Sequence, residues 1–594
     1  MYSNHNPINF NQLVFRDRVN LKLTMDIDKP VTGLDTETLN GYCRLICDDS
    51  GRSLICNRLE PILKFMTHVR FRNTHNFFFN LKYDAQAIVK YLDQEQLQQL
   101  YDEHKLAVGK YVIKYIPKKL FSITIHNHVH KFYDVAQFYE TSLETAAQRY
   151  LGEGKELGGL DRARIGTDRR YWSRHRQAIT KYCIVDAQLT KRLGDNLHRT
   201  FRDRLGIRPR AYVSKAGISK DYFRLNCEIP DIKNVPEWAL AMAFNAYAGG
   251  RFEVPRKGYI GPGYNIDICS AYPGIMATLP DITQGEWRKV REPDADALLG
   301  YYQAVVYIPY MPLTPLPVKA RSGLTIYPAG QFCTFLNKRE YDTYKDIIDI
   351  KILHGVEFYA KEPVHPFKET IERLYELKRS IPKDNYEYSL NKITLNSAYG
   401  WQYEKIKQGD QYKVGKLFNP INATEITAGT RCQIWDVIVT DPKSVINIAT
   451  DGIVMTRCPD LEWSKDLGQW GPPESGKITI IRSGVYRIDD EIKNRGLTKM
   501  EELETPHGAF KNVFDYIEQC PELTKYTVIR HRPLGLGECL AHYRIRSTKD
   551  INCFVDDPYT IDINRDFKRV WYDQFKNGGE ILERSIGSDP VCLA

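Results

Sequence analysis

Two acids on one strand constrain this chain most. In GLDTETLNG, Asp35 and Glu37 lie two apart in a segment with strand character, and alternate residues of a strand point to the same face. Carboxylates held side by side repel, and a cation between them removes the repulsion. Two later segments add to the set: in NLKYDAQAI, Asn80 and Asp84 mark a passage from strand to helix, and in KYCIVDAQ, Tyr182 and Asp186 are four apart on a helix and share a face. Four carboxylates from three elements suit two divalent ions about 3.5–4 Å apart, which activate a water and stabilise the leaving oxygen in phosphodiester hydrolysis. Tyr182 would orient that water. Taken singly, each acid reads as an ordinary solvated charge.

A second pair of acids lies far downstream. Asp267 ends an apolar strand in NIDICSAYPGIM, and Asp451 sits in the tight turn of VINIATDGIVM, where apolar runs flank Thr450-Asp451-Gly452. A strand end beside a hairpin tip brings two carboxylates together rigidly, as phosphoryl transfer to a 3′-hydroxyl requires. Tyr272 would lie under the incoming sugar. On the helix ending NKITLNSAYG, Lys392, Asn396 and Tyr399 recur at i, i+4 and i+7 and form one polar stripe, while Lys378 ends the helix FKETIERLYELK, where a cation suits the helix dipole and can reach a phosphate. Pro382 breaks the pattern between these helices, so 367–379 and 386–399 read as a helical hairpin.

The 594 residues leave room for about four domains. With 42% hydrophobic and 26% charged residues, the composition excludes wholesale disorder and collagen-like repeats. The longest mostly apolar stretch, 238–250, falls short of the roughly 18 residues of a membrane span, and the start lacks the pattern of a secretory signal; a cytoplasmic protein without a membrane partner is expected. Thirteen cysteines without a CxxC pair fit reduced thiols better than disulfides or zinc. A net charge of +9 permits a polyanionic partner without demanding one.

Taken in order, DxE, NxxxD and YxxxD resemble the three exonuclease motifs of the proofreading domain in family B DNA polymerases, matched by Asp35, Glu37, Asn80, Asp84, Tyr182 and Asp186. DICSAYP is similar to that family's polymerase motif A, DxxSLYP, with Ala271 in place of Leu, and KITLNSAYG matches motif B, KxxxNSxYG, including Ser397 and Gly400. ATDG is similar to motif C, DTDS, but Ala449 replaces the first Asp and Gly452 the Ser, while the second acid is kept as Asp451. Activity is expected to survive that change.

Several segments resemble the protein-primed branch. Tyr247-Ala248-Gly249-Gly250 looks like its YxGG linker, which contacts template DNA and balances synthesis against degradation; the helix carrying Lys378 resembles its finger helix, and LGQW (467–470) and KNRGL (493–497) are also similar. Its KxY motif is partial: Tyr486 is present, Gly484 stands at the lysine position, and Arg482 or Arg487 would have to supply the primer-strand contact.

The resemblance implies an α/β multi-domain fold, an RNase H-like 3′→5′ exonuclease domain followed by a right-hand polymerase of palm, fingers and thumb. It divides into an exonuclease domain (1–200), a connector with the YxGG motif (201–254), the first part of the palm (255–312), an insertion resembling terminal protein region 1 (313–363), fingers (364–395), the second part of the palm (396–480, with a short insertion near 402–416) and a thumb with the C-terminal region (481–594). So small a second insertion implies modest strand displacement. The implied function is template-directed DNA synthesis with proofreading, replicating a viral or mobile-element genome. Asp267 and Asp451 would hold two Mg²⁺ ions, with Mn²⁺ as substitute, and Asp35, Glu37, Asp84 and Asp186 the two of the nuclease. Tyr272, Lys378, Lys392, Asn396 and Tyr399 would bind the nucleotide; Asn80, Tyr247, Gly249, Gly250, Ser397, Gly400, Thr450 and Tyr486 would contact DNA. Partners would be primer–template, dNTPs and a terminal protein that primes a monomeric enzyme. Primer-independent initiation, a DNA-binding factor with a decayed polymerase centre, and a dedicated exonuclease stay open as alternatives.

Overall fold

The computed structural model describes residues 8–15, 23, 28–154, 159–319, 323–482, 484–494, 503–520, 523, 525–542, 546–562, 568–572, 575–576, 580–581 and 586–593. Two sheets carry the acids singled out above. The first is built on β1 (Val31–Leu39), β2 (Tyr42–Asp48), β3 (Ser53–Ile55), β4 (His75–Phe78), β5 (Lys105–Val108), β6 (Tyr111–Ile116), β7 (Leu120–Ile125) and β8 (His128–Asp134), in the spatial order β3-β2-β1-β4-β8-β7-β6-β5. Strands β1, β4 and β8 run parallel and are buried along most of their length, as a parallel core covered by helices requires. Helix α1 (Leu81–Val89) follows β4, and α2 (Arg176–Leu205) packs along β1. This second helix continues to Leu205 because Leu197, Phe201 and Leu205 keep one buried stripe, and it ends where Gly206 takes the left-handed conformation at φ +66°.

After a further helix, α3 (Glu237–Ala246), comes the second sheet, with β9 (Phe252–Glu253) and β10 (Ile260–Asp267) followed by the short helix α4 (Ala271–Ala277). The next strands, β11 (Glu286–Val290), β12 (Leu299–Ile308), β13 (Ala329–Asn337) and β14 (Asp349–Tyr359), form a separate sheet in the order β11-β14-β12-β13. β12 pairs with both β13 and β14, so this sheet joins strands from either side of the expected 312/313 boundary. Helix α5 (Lys338–Tyr344) joins β13 to β14, and α6 (Lys368–Ser380) and α7 (Tyr386–Asn396) form the expected pair of packed helices.

Strands β15 (Lys405–Gln408) and β16 (Gln411–Val414) form a hairpin within 402–416. It pairs with Leu13–Val14, and Phe10 and Leu13 share a core with α3. The start of the chain therefore packs with the second half of the molecule, outside the sheet of the expected 1–200 unit. Helix α8 (Pro420–Ile438) opens with Asn419 accepting backbone N–H bonds from Ile421 and Asn422. It is buried on nearly every side, as an element at the centre of a domain must be. The second sheet is completed by β17 (Val445–Ala449), β18 (Gly452–Met455), β19 (Glu474–Arg482), β20 (Val485–Ile488) and β21 (Glu491–Asn494), in the order β9-β17-β18-β10-β19-β20-β21. A ribbon of β22 (Lys525–Pro533) and β23 (Phe554–Asp562) follows. Among the described residues, no helix is long and apolar enough to cross a membrane.

Candidate active sites

Asp267 is the last residue of β10, and its Cα pairs across the sheet with Gly452, the first residue of β18. The Ile268 N–H donates to the Asp451 carbonyl at 2.8 Å, so the strand end at Asp267 is locked to the turn that carries Asp451. Thr450 at φ +65° makes the reversal, a conformation that costs a β-branched residue energy and marks a constrained site. A Cβ at Gly452 would fall 2.0 Å from Asp267 Oδ1. The glycine that departs from the family pattern thus makes room for the Asp267 carboxylate.

Burial pushes the Asp451 carboxyl up to about 6, reinforced by the charge of Asp267 and opposed by that of Lys392. Asp267 is raised too, chiefly because protein surrounds it, although the floor of the cleft leaves its side chain open to solvent; the Asn265 amide, donating at 3.1 Å, and the Lys493 charge oppose the rise, while Glu474 and Glu491 add to it. Hard oxygen donors of like charge, raised by burial and, for Asp451, by the neighbouring Asp267, are a fitting set for Mg²⁺ or Mn²⁺.

Lys378 Nζ donates to Ser270 Oγ at 2.9 Å, beside Asp267 in sequence, and burial together with the charge of Lys392 lowers its pKa. Lys392 and Asn396 are exposed and Tyr399 half-buried. The Tyr272 and Tyr399 rings lie 4.6 Å apart, Tyr399 and Tyr247 share a hydroxyl hydrogen bond, and Tyr247 stacks on Tyr403 at 3.6 Å. A Cβ at Gly250 would come within 2.7 Å of the Tyr272 hydroxyl and 2.8 Å of Thr450, which is why a glycine ends the YAGG segment. Gly249 faces open space, Gly400 is exposed and Ser397 half-buried. LGQW lies against the first strand end, with Cys269 N–H donating to Gln469 O at 2.8 Å and Gly468 N–H to Cys269 O at 2.7 Å. KNRGL runs past residue 494, outside the described residues.

Residues that sequence reasoning missed complete this centre. Arg431, buried in α8, donates to the Ala248 and Gly249 carbonyls at 2.7 and 2.9 Å and pairs with Glu340 at 2.7 Å, which fixes the glycine segment by charge-assisted bonds. Tyr486 donates to Asn265 at 3.2 Å. Its cross-strand partner is Lys493. Arg487, expected as a replacement primer contact, instead pairs with Asp515 and Glu518.

Of the other acids, Asp35 and Glu37 lie on the first sheet, Asp84 on α1 and Asp186 on α2. Asp35, Glu37 and Cys183 bring one ligand atom each within 4.8 Å of one another, the group of that kind among the described residues. The register slips between Glu37 and Thr38, a bulge of the kind that re-aims side chains beside sites. Cys183 donates its thiol to the Asp35 carbonyl at 3.4 Å, and burial holds it well above the usual thiol range, so it stays neutral and the acids remain the fitting ligands. Asp84 is turned elsewhere: it accepts from Thr36 Oγ1 at 2.6 Å, and burial, with Asp134 adding charge, pushes it up to about 7. Asp186 is buried on α2. Asp84 and Asp186 thus lie outside the close group that holds Asp35 and Glu37. Asn80, exposed in the left-handed conformation, donates its N–H to Asp134 at 3.0 Å. Glu37, Tyr182 and Tyr83 line one cavity of about 680 Å³.

A family model described as DNA polymerase type B, organellar and viral, matches residues 166–407. The chain is 23% identical over 450 residues to a DNA polymerase of Acidianus bottle-shaped virus, covering 70% of this chain and 66% of the viral protein. It is 26% identical over 247 residues to a probable DNA polymerase of Neurospora intermedia, covering 38% and 24% respectively. The chain therefore spans slightly less than two thirds of the viral relative and about a quarter of the fungal one. Among solved structures, Phi29 DNA polymerase complexed with primer–template DNA and incoming nucleotide aligns with a TM-score of 0.58 at 14% identity, over 90% of this chain and all of that one; an uncomplexed Phi29 crystal form gives the same TM-score at 16% identity. That likeness is one of fold, an exonuclease-like α/β domain joined to palm, fingers and thumb. Over residues 166–407 the chain is thus similar to the type B DNA polymerases of organellar and viral kind.

Proposed function

We propose that the protein is a template-directed DNA-dependent DNA polymerase with a 3′→5′ proofreading exonuclease. The observation that carries this reading is the locking of the strand end at Asp267 against the hairpin turn that holds Asp451, with Lys378 tied to Ser270 and Tyr272 packed against Tyr399. Two divalent ions per centre, Mg²⁺ with Mn²⁺ as substitute, would acidify the attacking hydroxyl or water and carry the charge of the leaving oxygen. The chain does the positioning. Tyr272 and Tyr399 form an apolar floor for the sugar and base, Lys378 and Lys392 face the triphosphate, and the backbone of 248–250, clamped by Arg431, sets the approach of the template. Lys378 is a cation that burial disfavours, so an arriving triphosphate relieves its cost as well as neutralising the ligand.

In the nuclease, Asp35, Glu37, Asp84 and Asp186 would hold the ions and Tyr182 would orient the water, with a frayed 3′ end moving between centres. The Asp84 side chain would have to leave Thr36 for this. We assign initiation to a terminal protein whose hydroxyl replaces the first 3′-OH, on the resemblance of YAGG and the finger helix to the protein-primed branch.

The test is extension of an end-labelled primer on a longer template with Mg²⁺. Elongation only when dNTPs are present is expected, and absence of elongation with both Mg²⁺ and Mn²⁺ contradicts the reading. Label incorporation on template alone would replace protein priming by primer-independent initiation.

A further inference from the structure

The ribbon of β22 and β23 joins the two halves of the molecule. Near one end, Tyr526, Val528 and Ile561 pack in a cluster with Ile481 and Val485 of the second sheet. At the other, residues between the two strands enter the core of the first sheet: Leu534, Leu536, Leu540 and Ile551 share a cluster with Leu34, Phe78 and Leu81. Lys90 donates to the Ile551 carbonyl at 2.6 Å and Asn552 to the Tyr83 carbonyl at 2.8 Å. This anchoring brings His531 and Phe554 to the wall of the cavity that holds Glu37 and Tyr182. Their rings stack 5.1 Å apart at 16°. Both are exposed, Phe554 to 54% and the His531 side chain to 68%. The same cavity is lined by Arg162, whose nearest acid, Glu144, is 3.7 Å away with both side chains half-exposed.

We infer that the His531–Phe554 stack is a platform for the bases of single-stranded DNA entering the nuclease cavity, with Arg162 beside the backbone phosphates. A flat aromatic pair in solvent and a cation lining the same cavity as the Glu37 carboxylate are the parts that bind an unpaired strand whatever its sequence. The site is composite: the first sheet supplies the acids and the ribbon supplies the stacking surface. The ribbon would thus tie the grip on an unpaired end to the half of the molecule that holds Asp267. This inference rests on the proofreading reading.

The test uses the full chain with Phe554→Ala, His531→Ala and the conservative Phe554→Trp, on a 5′-labelled single strand and on a matched primer–template. Because both rings are exposed, truncation leaves the core intact, which thermal melting verifies. Phe554→Ala is expected to raise the KM for single-strand degradation about tenfold with kcat within about twofold, Phe554→Trp to restore it, and matched-primer elongation to stay unchanged. A 3′-terminal 2-aminopurine, read without divalent ions, is expected to be quenched on binding the wild type and less so on Phe554→Ala. Unchanged KM and quenching would overturn the platform, and so would faster degradation by Phe554→Ala, which would make the stack a cover. A wild type that degrades no strand sinks the proofreading reading instead, while the quenching still decides the platform.

Discussion

The two acid centres are built in different ways. Asp267 ends one strand and Asp451 sits in the tight turn that opens the neighbouring antiparallel strand, and backbone hydrogen bonds fix the two segments together. Asp35, Glu37, Asp84 and Asp186 come from one strand and two helices, and Asp84 is engaged with Thr36 rather than with the close pair. A sheet holds a pair of acids at no cost in side-chain order, whereas acids drawn from several elements need the packing of each element, and a rotamer change, to converge. The polymerase centre should therefore be preformed and the nuclease centre assembled by its ligands.

Separate centres predict a double dissociation, the largest effect expected. Asp451→Ala should lower primer elongation by roughly three orders of magnitude, the scale of losing a group that stabilises transition-state charge, while single-strand degradation continues. Asp35→Ala with Glu37→Ala should do the reverse. Loss of both activities in either variant, measured on the same labelled primer, would merge the centres. Next in size, Gly452→Ser should cut elongation about ten- to a hundredfold, because its Cβ must displace the Asp267 carboxylate; degradation should be untouched. Steady-state rates at saturating dNTP read this out, and an unchanged rate would show that Asp267 has slack.

Protons compete with the divalent ion for the raised carboxylates. Asp84, near 7, should lose metal at a higher pH than Asp451, near 6. The Mg²⁺ needed for half-maximal degradation should climb about tenfold per pH unit below about 7, and that for elongation only below about 6. Coincident limbs would remove the contrast. The smallest effect concerns stability. A carboxyl whose folded pKa is raised above its unfolded value near 4 favours the fold at low pH, and that stability is lost as pH rises to about 7. Metal-free Asp84→Asn should then melt about 1–3 °C above wild type at pH 8 and level with it at pH 4; a gain at pH 4 of equal size would point to packing instead.

Much of both sites was legible in local sequence. Period-two spacing put Asp35 and Glu37 on one face, apolar runs ending in acids marked Asp267 and Asp451, and Pro382 separated the two helices that carry Lys378 and Lys392. What was not legible depends on pairing between distant segments. Tyr486 and Lys493 meet only because β20 pairs with β21. Arg431 lies in a helix that reads as plain core, and its role appears only when the glycine backbone it holds is packed against it. The residues between β22 and β23 are short on periodic signal, and their entry into the first sheet's core comes from a handful of apolar side chains. Residues 8–15 join the second half through a two-residue strand, too short to announce itself. The small hairpin at 405–414 keeps the expectation of modest strand displacement, and long extension through a downstream duplex by the protein alone would contradict it.

The most direct test of two cooperating centres in one chain is the fate of a 5′-labelled primer ending in a mispaired nucleotide, incubated with template, Mg²⁺ and all four dNTPs. The account predicts that the primer is first shortened past the mispair and then elongated to the template end, and that Asp35→Ala with Glu37→Ala abolishes the shortening. Elongation straight from the mispair by the wild type, or shortening with no later elongation, would contradict it.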